Sequence, residues 1–162
     1  MQIREAHNPD WEAVWPIIQE VIMAGETYGY DPDLSPAAAY RIWFELPHKT
    51  YVAVAGNTVL GTYYLKPNQG GPGRHVCNCG YMVAAPARGQ GVGKLMAQHS
   101  LQMAIELGYK AMQFNYVAVS NTVAIRLWEQ LGFQTVGRLP RAFCHPRLGY
   151  IDALVLYQWL AD

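Results

Sequence analysis

The residues best suited to chemistry are Arg88, Gly89, Gln90, Gly91, Val92, Gly93 and Lys94, a glycine-rich turn between an apolar strand stopped by Pro86 and a helical stretch running to Leu107. A strand-to-helix turn of this kind aims several unpaired backbone N–H groups and the positive end of a helix dipole at one point. Three alternate glycines let oxyanions approach the backbone without Cβ obstruction, and Arg88 and Lys94 add charge, so the turn predicts an anion site suited to phosphate. It is not a Walker A loop, because Arg88 stands where that loop needs glycine and Leu95 where it needs Ser or Thr. The glycine spacing also differs from the G-x-G-x-x-G of dinucleotide folds.

Other reactive side chains are scattered. Glu26 lies in the irregular Gly25-Glu26-Thr27-Tyr28 stretch, where it reads either as a functional carboxylate or as a solvated helix-end glutamate. Asn115 interrupts an apolar strand and needs partners if buried, whether it orients a substrate or serves the fold. His145 is either a base or a loop anchor beside Pro146, and Arg141 and Arg147 either clamp a carboxylate or sit as surface charges. Cys77, Cys79 and Cys144 are odd in number, and the C-x-C pair lacks zinc-knuckle spacing, so they read as small core residues with no metal implied.

The elements that must position these groups fit one ordinary globular domain spanning 1–162. Of the 162 residues, 51% are hydrophobic and 12% aromatic, which supports a packed core without disulfides or metal. Lys and Arg number 12 and Asp and Glu 12, so no general attraction draws the chain to nucleic acid or to an anionic membrane. The charged start Met1-Gln2-Ile3-Arg4-Glu5 has no signal-peptide run behind it, and a cytoplasmic location is the expectation.

After a short strand at Ile3-Arg4, the three- and four-residue spacing of Trp11, Val14, Trp15, Ile18, Val21 and Ile22 predicts a helix fading near Gly25. Ser35-Pro36 opens a second helix through Tyr40, Trp43 and Phe44 to Leu46. Residues 51–55 and 58–65 predict a hairpin, 66–73 a loop, and 75–85 a strand. The phosphate turn and its helix come next, and then strand 111–117, helix 124–131, strand 133–139 and strand 151–159. The stretch from Pro140 to Tyr150 reads as a long irregular segment. Together they predict a mixed α/β sheet covered by helices.

The glycine turn and the segment from Asn121 to Phe133 resemble the GNAT superfamily of acyl-CoA-dependent N-acyltransferases. The family's Gln/Arg-x-x-Gly-x-Gly/Ala is matched by Arg88, Gly91 and Gly93, and its second block by Asn121, Ala124, Leu127, Trp128, Gly132 and Phe133. The resemblance implies an α/β fold with a mostly antiparallel sheet of about seven strands flanked by about four helices. It further implies acetyl-CoA as acyl donor, with the pyrophosphate on residues 88–94, the pantetheine arm pairing with the backbone of Tyr81, Met82 and Val83, and contacts from Asn121 and Trp128. The Val83 N–H would be the oxyanion donor. Glu26 would help deprotonate the amine, and Glu26, Tyr28, Asn115, His145 and Arg147 would meet the acceptor. The family's frequent Tyr, a proton source for the leaving thiolate, is replaced by Trp128, whose indole N–H is no usable acid, so Tyr116, another hydroxyl or water must serve. Within the superfamily the chain is similar to phosphinothricin and amino-acid-analogue acetyltransferases, which implies direct transfer to a small amine, an amino acid or analogue, and the family's frequent pairing through its later strands implies a homodimer. A protein or peptide N-acetyltransferase and a non-catalytic CoA sensor are the alternatives.

Overall fold

The computed structural model describes residues 1–161. Seven strands form one sheet in the order β1-β2-β3-β4-β5-β7-β6. The strands are β1 (Gln2–Glu5), β2 (Lys49–Ala55), β3 (Thr58–Pro67), β4 (Val76–Val83), β5 (Ala111–Ala118), β6 (Gln134–His145) and β7 (Gly149–Trp159), and the helices are α1 (Trp11–Ala24), α2 (Pro36–Tyr40), α3 (Val92–Glu106) and α4 (Thr122–Gln130). Every pairing is antiparallel except β4 with β5.

Period-two alternation buries both faces of the central strands, so each reads as a nearly continuous apolar run. Along β2, Val52 and Val54 face α1 and α2 and pack with Val14, Ile18, Ile22, Trp43, Tyr64 and Met82. Tyr51 and Ala53 face α3 and α4 and pack with Tyr63, Leu65, Cys77, Cys79, Met96, Phe114 and Trp128. The α1 side is pinned by buried polar bonds, since Trp43 Nε1 donates to Thr62 Oγ1 at 3.0 Å and Thr62 Oγ1 donates to the Tyr51 carbonyl at 2.9 Å.

Three expectations change. The second helix keeps α geometry only to Tyr40 and then widens into a π turn over Arg41–Glu45, closed by Leu46 N–H on the Arg41 carbonyl; the turn brings Trp43 edge-on to Tyr64, with ring centroids 4.7 Å apart. Lys66 and Pro67 belong to β3 rather than to a loop, because they pair with Asn78 and Cys77. The segment from Pro140 to Tyr150 is not irregular: it continues the β6–β7 hairpin across register shifts between Leu139 and Phe143, with Arg141 at φ 52°. An edge strand tolerates Pro140, whose missing N–H costs no ladder bond on the open side.

Candidate active site

A cleft of about 670 Å³ opens where the sheet splits. The parallel strands β4 and β5 pair only at Val76–Ala111 and Cys77–Met112 and then diverge. At the fork the Asn78 amide donates to the Gln113 carbonyl at 3.0 Å. Beyond it, β4 has lost its neighbour on one side, and backbone groups there face the opening.

Tyr28 takes one of these rungs. Its hydroxyl donates to the Tyr81 carbonyl at 2.8 Å and accepts the Tyr81 N–H at 2.7 Å, standing in for a residue of the missing strand. Burial pushes this hydroxyl well above the ordinary tyrosine range, so it remains a donor at any working pH. The Ala84 N–H bonds back to Leu60 of β3. By strand alternation the backbone of Met82 also faces β3, whereas that of Val83, two positions beyond Tyr81, faces the opening as Tyr81 does. Met82 therefore lines the cleft without offering its amide to it, which corrects its expected pairing with the pantetheine arm.

The two sides of the cleft differ in chemistry. On the α3 and α4 side the walls are Phe114, Leu127, Ala124, Trp128, Val117 and Gly93. Trp128 is 7% exposed, with its ring centroid 4.8 Å from Tyr81 and 4.6 Å from Phe114. The α3 N-terminus lies beside this wall. Gly91 caps it at φ 82°, and the amides of Gly91, Val92, Gly93 and Lys94 bond to no protein acceptor among the described residues. The flanking side chains are spent on the turn itself: Arg88 pairs with Glu20 of α1 at 2.8 Å, and Gln90 donates to the Pro86 carbonyl. Arg88 reaches the cleft; Lys94 is exposed outside it, as are Gly89 and Gln90. Asn121 lines the cleft while capping α4 through the Ala124 amide at 3.4 Å.

On the α1 side the lining is polar: Glu26, Thr27, Tyr28, Tyr30, Tyr64, Lys66, Asn78, Asn115 and Tyr116. Glu26 and Arg147, far apart in sequence, form an ion pair at 2.7 Å. The largely exposed pair adds little stability, but it ties the α1–α2 loop to the β6–β7 hairpin. A second tie is steric, because a Cβ on Gly29 would stand 3.0 Å from the Tyr116 ring. Asn115 is exposed rather than buried; its amide donates to Asn68 at 2.7 Å and its carbonyl accepts from Gln113 at 2.9 Å. The Tyr116 hydroxyl donates to the Ala142 carbonyl, so its proton is engaged away from the thioester path. His145 is brought to no part of the cleft. It is 5% exposed, and its Nδ1 accepts from the amides of Arg147 and Leu148, the loop-anchor arrangement.

Cys79 also lines the cleft, but burial pushes its thiol well above the usual range, and Cys77 is pushed up to about 12. Neither is an activated nucleophile. Replacing both by alanine is expected to leave the single-turnover rate unchanged while costing about 1–3 kcal/mol of stability for two truncated buried side chains. A collapsed single-turnover rate in the folded variant would restore a thiol intermediate.

The turn, the α4 block and the split sheet have a known counterpart. The model of the Acetyltransferase (GNAT) family matches residues 2–133. The chain belongs to that family. It is 39% identical over 158 residues to the N-acetyltransferase aca1 of Schizosaccharomyces pombe, covering 85% of this chain and 74% of that protein. A GCN5-related N-acetyltransferase from Kribbella flavida superposes with a TM-score of 0.94 at 44% identity, over 98% of this chain and 97% of the other. A phosphinothricin acetyltransferase from Sinorhizobium meliloti, solved in complex with AcCoA, shares the fold at a TM-score of 0.86 and 19% identity, over 99% of this chain and 88% of that one. The protein is thus an N-acetyltransferase of the GNAT fold, as the glycine turn suggested. No helix among the described residues is long and apolar enough to cross a membrane.

Sequence reasoning missed Lys66, Tyr64 and Asn78. Their signal was a polar alternation at the end of an apolar strand, but only the register that sets Lys66 opposite Asn78 puts them in the cleft.

Proposed function

We propose that the protein moves an acetyl group from acetyl-CoA directly to the amine of a small acceptor, both held in one ternary complex. The observation that carries this reading is a single cleft passing through the sheet, apolar beside the α3 N-terminus and polar beside the α1–α2 loop. The free amides of residues 91–94 suit a pyrophosphate, and the Phe114, Leu127 and Trp128 wall suits an acyl-pantetheine arm. The Val83 N–H, on an unpaired rung of β4, would donate a hydrogen bond to the oxyanion developing on the thioester oxygen. The acceptor enters from the polar side, and Glu26 takes its proton directly or through water. Holding both reactants in line supplies much of the acceleration without a covalent intermediate.

A small acceptor is favoured over an extended peptide because the Glu26–Arg147 pair and the Gly29–Tyr116 contact bridge the groove that a peptide would occupy. The twelve-residue edge strand β6, with exposed Val136 and Leu139, suits a homodimer through the later strands, and the enzyme would work in the cytoplasm.

Thermal melting with and without acetyl-CoA, run beside thiol release over amino acids, polyamines and peptide N-termini, tests the proposal. A rise in Tm of about 5–10 °C at a hundredfold excess over Kd, with release on small amines, is the expected result. Release only on peptides would favour the protein acetyltransferase, and stabilisation without release on any amine the sensor.

A further inference from the structure

Among the charged side chains lining the cleft, Lys66 alone lacks a partner of opposite charge among the described residues. Glu26 is matched by Arg147 at 2.7 Å and Arg88 by Glu20 at 2.8 Å, whereas no carboxylate of the described residues lies within ion-pair reach of Lys66. No carboxylate, carbonyl or hydroxyl among the described residues accepts a hydrogen bond from its ammonium, which rests over the Tyr64 ring with Nζ 5.2 Å from the centroid. It is half-buried, and burial pulls its pKa below the ordinary lysine value. An ammonium that has shed part of its hydration without gaining an anion is a site waiting for one.

The surroundings are neutral and already satisfied. Asn78 accepts from the Tyr64 hydroxyl at 3.3 Å and donates to the Gln113 carbonyl, while Asn115 is held between Asn68 and Gln113. These amides brace the floor of the chamber and leave a single unmet charge there. Its placement matters as well. By strand alternation Tyr64 and Lys66 of β3 and Asn78 of β4 project to the α1 side, the polar side of the cleft. Tyr64 is paired with Gly80, the residue before Tyr81, so an ammonium over its ring sits one to three rungs below the Tyr81 and Val83 backbone, roughly 3–10 Å along the strand.

We propose that Lys66 recognises an anionic group, a carboxylate above all, on the acceptor, and that the enzyme therefore selects short amino acids over simple amines and polyamines. This rests on the small-acceptor acetyltransferase reading above. A carboxylate on Lys66 leaves the amine, a few bonds away, beside the unpaired β4 backbone, and the same charge repels a second ammonium on a polyamine.

The test uses the full chain with acetyl-CoA and a panel of L-amino acids, each beside its carboxamide and its decarboxylated amine. Wild-type enzyme is expected to prefer the acid form in kcat/KM by about tenfold to a hundredfold, the range of one charge-assisted hydrogen bond. Lys66→Met should erase the preference, mainly through KM, and Lys66→Arg should keep part of it. The N-acetyl amino acid products, titrated into CoA-loaded protein by calorimetry, should bind at least about tenfold more weakly to Lys66→Met, a readout independent of turnover. Equal use of acid and amide by wild type, or an unchanged preference in Lys66→Met, overturns the Lys66 assignment and leaves the transferase reading standing. Acetyl-CoA binding with no small amine acetylated, and no binding of the N-acetyl products, overturns both.

Discussion

Gly91→Asp is expected to abolish acetyl-CoA binding in a protein that still folds. Gly91 is the N-cap of α3 at φ 82°, and a Cβ built there meets nothing within 4 Å. Asp is among the few side chains that tolerate the left-handed region, and its carboxylate would cap the very amides of residues 92–94 that a pyrophosphate needs. The variant thus carries its own competing anion while repelling the diphosphate. Loss of two or three charge-assisted bonds, plus the repulsion, predicts at least about a thousandfold weaker affinity. Melting checks both halves: Tm alone should fall within about 3 °C of wild type, and the rise with acetyl-CoA should vanish. Gly91→Ala, which has the strain without the charge, should retain most of that rise. A wild-type shift in Gly91→Asp would move the diphosphate site elsewhere.

The second large effect is expected from removing one oxygen. Tyr28→Phe leaves the Tyr81 N–H and C=O without partners at the fork between β4 and β5. Two unsatisfied, partly buried backbone groups cost about 2–4 kcal/mol together, or about 5–15 °C in Tm for a chain of this size. Function should suffer separately. The freed Tyr81 groups become a rung identical in kind to that of Val83, so the amides of a pantetheine arm could pair two residues out of place, about 7 Å along the strand. The expected signature is a kcat reduced at least about tenfold with little change in acetyl-CoA affinity. Tyr30→Phe is the control, since its ring stacks on Tyr28 with centroids 5.6 Å apart but makes no bond to β4. Wild-type Tm and kcat in Tyr28→Phe would show that the rung is dispensable.

These two residues differ in how far the sequence reveals them. The role of Gly91 is local: glycines at alternate positions before a helix dictate free amides whatever the rest of the chain does, and so the anion turn is legible without a fold. Helix starts at Ser35-Pro36 and Asn121 and the alternation in β2 and β3 are legible for the same reason. Tyr28 is named by the sequence only as a loop aromatic beside Glu26. Its bond to Tyr81 spans 53 residues and depends on a strand that has lost its neighbour. The irregular reading of residues 140–150 fails because Pro140, Pro146 and Gly149 carry turn chemistry, while the pairing of Cys144 with Tyr150 and Phe143 with Ile151 comes from the partner strand.

The residues by themselves determined the mixed α/β class and the place of the glycine turn, because each follows from backbone conformation and periodicity within a few positions, and their motifs carried the resemblance to the family whose model matches residues 2–133. Only the tertiary structure decided which polar groups share the cleft. It joined Glu26 to Arg147, withdrew His145 into the hairpin, turned the Met82 amide toward β3, and left Lys66 as the one unmatched charge among the described residues that line the cleft. The physical reason is that charge matching, strand register and the splitting of a sheet are properties of pairs of segments, and no single segment carries its partner's address.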